Sequence, residues 1–254
     1  MISRTMHGFD FDPVRDEIVV TSPLAQAILV FRGGAHGEEP PIRVIQGPHT
    51  QIQGDYPGTG ANDRVSVDPV NGEYYLFSTP NQILVFDRAA NGDVPPKRVL
   101  GGPNTRITGR STSAVDPVHN ILAVNTRESM LIFDRTANGN VKPKAAIEGP
   151  KSGMGNLGSF QIYAPKGEII AGCGPAYAST LGICAWNITD NGDVAPRWRL
   201  PVQQLTGGYQ ASAIVLDPVH KEVMMSSSGQ KIQVARPESG IMNAITTFYW
   251  PEIY

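Results

Sequence analysis

Oxygen-bearing side chains that suit a hard divalent cation such as calcium stand at Asn62, Asp63, Asn156 and Gln210. No glutamate joins them, and they keep no common register along the chain. The favoured reading is therefore no cofactor, with these groups as polar lining of a watery channel. Four more aspartates, Asp12, Asp68, Asp116 and Asp217, each precede Pro-Val. An aspartate before a turn accepts backbone N–H groups of that turn, and this is their expected role. Arginines and tyrosines form a second group. Arg64, Arg106 and Arg110 fall near Tyr56, Tyr209 and His49, and Tyr177 lies in a second irregular stretch. Arg and Tyr anchor many interfaces, so these six Arg and Tyr positions are the candidate binding face for a protein or glycan partner. Serine-hydrolase chemistry needs a nucleophile on a Gly-x-Ser-x-Gly elbow, and the sequence has none. The five histidines, at 7, 36, 49, 119 and 220, fall mostly in turns. Cys173 and Cys184 flank a hairpin. By register with an earlier copy of the same unit, Cys173 lies opposite Ile183, which puts Cys184 on the other face. Two buried free thiols are expected, and a cross-hairpin disulfide is the alternative.

The elements that carry these residues repeat. Residues 62–103 hold four short runs rich in β-branched and aromatic residues, at 64–67, 73–77, 82–86 and 97–100, separated by turn signals. Asn91-Gly92 supplies the positive-φ turn before the fourth run. Pro95-Pro96 leads into that run, which places it at a sheet edge because proline cannot donate to a ladder. Asp-Pro-Val recurs at 12, 68, 116 and 217, with Ala164-Pro165-Lys166 as a degenerate copy. Asn-Gly recurs at 91, 138 and 191, with His36-Gly37 and Ser239-Gly240 in the other two slots. The third run ends in Phe31, Phe86, Phe133, Trp186 and Ala235. A spacing near 50 residues with four strands per unit matches propeller blades. The expected fold is all-β: one domain over 1–254, a β-propeller of four-stranded antiparallel blades near 5–46, 62–100, 112–147, 159–200 and 210–250. It is a closed five-bladed ring or a segment of a six- or seven-bladed array. The C-terminal Trp250-Pro251-Glu252-Ile253-Tyr254 reads as the opening of the motif that joins one blade to the next.

Two insertions break the period, at 54–61 and 174–180. One joins strand four to the next strand one, the other joins strand two to strand three. Both connections emerge on one face of a four-stranded meander, and loops on a rigid scaffold often carry function. Net charge is −2 and hydrophobic residues make up 41%. That balance gives no bulk attraction for nucleic acid or anionic membrane. No apolar stretch is long enough for a membrane span, and the first residues lack the apolar core of a signal peptide. Asn187-Ile188-Thr189 is a glycosylation sequon, relevant in a eukaryotic secretory host.

The Asp-Pro-Val-x-x-Glu, Ile-Leu-Val-Phe-Asp-Arg-x-Ala-Asn-Gly and Gly-Pro-x-Thr elements resemble the NHL-type and lactonase-like propeller repeats of bacterial envelope and secreted proteins. The resemblance covers nearly the whole chain. It implies an extracellular or periplasmic setting. It also implies two functions: a non-catalytic binding scaffold, or a metal-dependent hydrolase or lyase with calcium or another divalent ion held near Asn62, Asp63 and Asn156. Self-association is a further expectation if the chain repeats within a longer array.

Overall fold

The computed structural model describes residues 8–53, 64–109, 111–126, 128–154, 160–173, 182–201, 209–231 and 245–254. Their secondary structure is β-strand with short 3-10 turns, in five antiparallel sheets. The first holds β1 (Phe9–Asp12), β2 (Glu17–Ser22), β3 (Ala27–Arg32) and β4 (Arg43–Gln46). The second holds β5 (Val65–Asp68), β6 (Glu73–Ser78), β7 (Gln82–Asp87) and β8 (Arg98–Gly101). The third holds β9 (Thr112–Asp116), β10 (Ile121–Asn125), β11 (Ser129–Asp134) and β12 (Ala145–Glu148). The fourth holds β13 (Phe160–Tyr163), β14 (Glu168–Cys173), β15 (Gly182–Asn187) and β16 (Trp198–Pro201). The fifth has three strands, β17 (Tyr209–Asp217), β18 (Glu222–Lys231) and β19 (Ile245–Tyr249). Spatial order follows chain order in every sheet, as a meander requires, and the Pro-led fourth strands lie at the edges. No helix is long and apolar enough to cross a membrane.

The chain forms two compact units, residues 1–127 with 131–144, and residues 128–130 with 145–254. In the first unit every residue of β6 is buried. A strand covered on both faces reads as continuous rather than alternating hydrophobicity, which is why EYYLF shows no period of two. Val19, Ile28, Ile45, Ile52, Val67, Tyr74, Leu84 and Phe86 share one core, which couples the first two sheets.

The recurrent polar residues have structural partners. Asp12, Asp68, Asp116 and Asp217 each accept N–H bonds through Oδ1 from the second and third residues after them, at 2.9–3.3 Å. The second oxygen takes the side chain three residues on: Arg15, Asn71, His119 and His220 respectively. The turn role expected of these aspartates is what they perform.

Asn-Gly does more than turn the chain. Gly92, Gly139 and Gly192 have φ of 77°, 72° and 81°. In the first unit the amide oxygen of Asn91 accepts from Val44 N–H at 3.0 Å, and Gly92 exchanges backbone bonds with Val44 and Gln46. Asn138 treats Val99 the same way at 3.1 Å. In the second unit Asn191 treats Ala146 so at 2.9 Å. The residue after each glycine extends the clasp. Asp93, Asn140 and Asp193 accept from His49, Asn104 and Lys151 N–H at 2.7–2.8 Å. Each Asn-Gly-Asp/Asn turn thus fastens to the edge strand of the preceding repeat.

The fifth sheet corrects the sequence reading. Its third strand is β19, paired Glu222↔Tyr249 and Val223↔Phe248, as Glu73 pairs Asp87 and Tyr74 pairs Phe86. Phe248, not Ala235, therefore ends that strand, and Ser239-Gly240 precede it. Trp250 N–H bonds to Lys221 O, as Arg88 does to Gly72 and Ile188 to Gly167. Trp250–Tyr254 is the turn that follows a third strand rather than the opening of an inter-blade join. The 13 residues between β18 and β19, 232–244, hid this from a fixed period.

Candidate functional site

Slot-by-slot comparison of the repeats shows where the fourth departs. The strand-four residue paired with the third residue of strand three is Val44 (with Leu29), Val99 (with Leu84) and, in the fourth sheet, Arg199 (with Cys184). The first residue of strand three is Ala27, Gln82, Ser129 and then Gly182. Three substitutions thus coincide: leucine to cysteine, a side chain to glycine, and an apolar residue to arginine. In the second sheet Leu84 and Val99 help fill the core. In the fourth their counterparts, Cys184 and Arg199, line a cavity of about 440 Å³. Its lining includes the turn from Gly149 to Met154, Cys173, Cys184, Pro196 and Arg199.

Two cations stand in this lining. Lys151 and Arg199 are exposed, and among the described residues neither side chain has a hydrogen bond or ion pair. Arg199 Nε and Cys173 Sγ lie 2.9 and 3.1 Å from the point a Gly182 Cβ would occupy. The guanidinium therefore shares the space beside the sulfur that a larger residue would take. The turn is fixed from below: Asp193 accepts from Lys151 and Ser152 N–H, and the buried Ser152 hydroxyl donates to Gly149 O. Cys173, the last residue of β14, is part of the cavity lining.

Cys173 and Cys184 are joined as a disulfide, which overturns the expectation of two free thiols. The register explains the difference. Cys173 pairs with Gly182, not Ile183, and Cys184 pairs with Ala171. Cys173 and Cys184 are diagonal neighbours on one face, within reach of a bridge.

A second departure concerns a carboxylate. Glu73 is buried and accepts from Arg98 (2.8 and 2.6 Å), Lys97 (2.8 Å), Arg135 (2.7 Å) and the Tyr75 hydroxyl (2.8 Å). Burial alone would raise its pKa, but Arg98 and Lys97 outweigh it and hold the carboxyl at about 2. Burial and Glu73 push the Tyr75 hydroxyl well up. Glu17 has the same clamp, from Arg43 and Arg88. Glu168 fills that slot in the fourth sheet, but the two arginine slots hold Trp198 and Trp250. These rings meet edge to face at 4.9 Å. Oε2 of Glu168 is buried without a hydrogen-bond partner among the described residues.

The residues singled out from sequence distribute differently. Tyr56, Asn62, Asp63, Arg110, Asn156 and Tyr177 lie outside the described residues. Arg64 is half-buried just before β5. Arg106 is exposed and ends the 3-10 turn Pro103–Thr105 in the left-handed region, φ 62°. Tyr209 opens β17. Among the described residues no group of three His, Cys, Asp or Glu gathers as a metal set. Lys151, Arg199 and Gly182 went unnoticed, although aligning the repeats at Arg199 against Val44 and Val99 exposes the anomaly. No protein-family model matches the chain, and comparison with curated proteins finds no significant match.

Proposed function

We propose that the chain is a non-catalytic binding module of the β-propeller type, engaging a protein or glycan partner through one loop face. The observation that carries this reading is the fate of the repeated polar groups. The Asp-Pro-Val aspartates, the Asn-Gly turns and Glu73 all have internal partners, so the repeat chemistry holds the fold. What remains for function is where the repeats differ, and one such difference is the cavity lined by Lys151 and Arg199. The propeller reading draws support from in-phase sheets whose first strands touch. Val67 N–H donates to Asp10 in the first unit, and Leu216 N–H donates to Gln161 in the second. The disulfide supports an extracellular or periplasmic setting, where such bonds persist.

The test pairs the full chain with a variant whose two insertions are cut to the length found in the third repeat. Both are applied to a glycan array and to a panel of extracellular proteins. The reading expects a partner that the parent binds and the shortened, still folded variant does not. Equal binding by both would remove the insertions from the account. Turnover of lactones that needs an added divalent ion would replace the module with the hydrolase.

A further inference from the structure

We propose that the cavity beside the Cys173–Cys184 disulfide binds a small organic anion, a carboxylate or phosphate on a compact apolar body. This deepens the binding reading above and rests on it only for the view that the differences between repeats are functional.

Three observations converge on an anion. Arg199 and Lys151 flank one cavity, and among the described residues neither has a charge partner. Several other cations are paired. Arg43, Arg98, Arg135 and Lys144 each sit on a carboxylate of this chain. Secondly, both cations stand in slots where the compared repeats carry neither lysine nor arginine. Arg199 replaces Val44 and Val99, and Lys151 follows Pro150 where His49 follows Pro48 and Asn104 follows Pro103. In the arginine's slot Val44 and Val99 are half-buried, whereas Arg199 is exposed. Thirdly, glycine in place of Ala27, Gln82 and Ser129 leaves room for Arg199 beside the disulfide, its Nε 2.9 Å from the point a Gly182 Cβ would occupy.

The size and lining set the ligand class. About 440 Å³ falls at the lower end of ordinary small-molecule pockets. Pro150, Met154, Pro196 and the disulfide supply apolar lining, and Arg199 and Lys151 supply the charge. Guanidinium matches a carboxylate or phosphate with two parallel bonds, and the lysine adds a mobile point charge. A compact body with one anionic end satisfies both halves. A neutral molecule of the same shape leaves the cations without compensation.

The experiment uses the full oxidised chain with benzoate, phenyl phosphate and neutral benzamide as probes, followed by calorimetric titration and ligand-observed NMR at low salt. The variants Arg199→Val and Lys151→Asn restore residues that other repeats carry in those slots. Both should therefore keep the parent melting temperature, and Arg199→Gln serves if the valine variant does not fold. We expect saturable binding of one anion, weakened about tenfold or more by Arg199→Val and by raised salt, with benzamide silent. Tighter benzoate identifies a carboxylate ligand, and tighter phenyl phosphate a phosphate. Absence of saturable binding by either anion, or equal binding to parent and Arg199→Val, overturns the proposal. Partner capture that survives in Arg199→Val while anion binding is absent would overturn the anion site alone and leave the binding module standing.

Discussion

Replacing Glu73 by glutamine removes one negative charge from a site where three cations converge. The Glu73 side chain is 3% exposed, and Arg98, Lys97 and Arg135 approach it within 2.6–2.8 Å. Glutamine keeps the size but cannot offset two guanidiniums and an ammonium. Lowering the carboxyl from its ordinary 4.5 to about 2 corresponds to about 3 kcal/mol of folded-state preference for the charged form. Breaking a buried pair by removing one partner costs about 3–5 kcal/mol, so the two routes agree. Urea unfolding followed by far-ultraviolet circular dichroism measures it, since all three tryptophans, at 186, 198 and 250, lie in the other unit. The sign with pH is fixed by the direction of the shift. A depressed carboxyl pKa gives stability that is complete above the unfolded value near 4.5 and lost as pH falls towards 2. The parent should weaken across that window, and Glu73→Gln should start lower and lose less there. A cost below about 1 kcal/mol, the range of an exposed pair, with an unchanged acid limb, would refute the clamp.

Glu168→Gln makes the opposite prediction from the same slot. With tryptophans in place of both arginines and a buried oxygen unpartnered, its loss should change stability by less than about 1 kcal/mol or raise it, as read by tryptophan-fluorescence unfolding. His220, held by Asp217 at 2.6 Å, has a raised pKa caused first by that hydrogen bond. Its NMR titration should sit above 6.5 and fall back in Asp217→Asn. The stability it adds should be complete below the unfolded histidine pKa and lost as pH rises through the folded one. Reducing Cys173–Cys184, which closes a separation of 11 residues, should cost about 2–3 kcal/mol and lower the melting temperature of the second unit.

Much of the fold was legible because each repeat restates it. Asp-Pro-Val marked the first turn of four of the five sheets, and the strand runs fell within a residue or two of the observed β5–β8. The carboxylate clamp was not legible, because Glu73, Arg98 and Arg135 are far apart in sequence and only sheet packing brings them together. The disulfide was missed through a one-residue register error, which in a strand moves a side chain to the opposite face. The fifth repeat was misread because 232–244 inserts where a constant period was assumed, so Phe248 went unrecognised as the counterpart of Phe86. The cationic cavity was readable in principle. It required treating the repeats as controls for one another and asking why Arg199 stands where Val44 and Val99 stand.

The central claim is that the recurrent acidic groups hold the fold and that function is binding without a metal. Elemental mass spectrometry of the gently purified oxidised chain, before and after chelation and with melting curves on both samples, tests it most directly. The account predicts no stoichiometric divalent ion and superimposable melting curves. One calcium or zinc per chain, lost on chelation together with thermal stability, would contradict it.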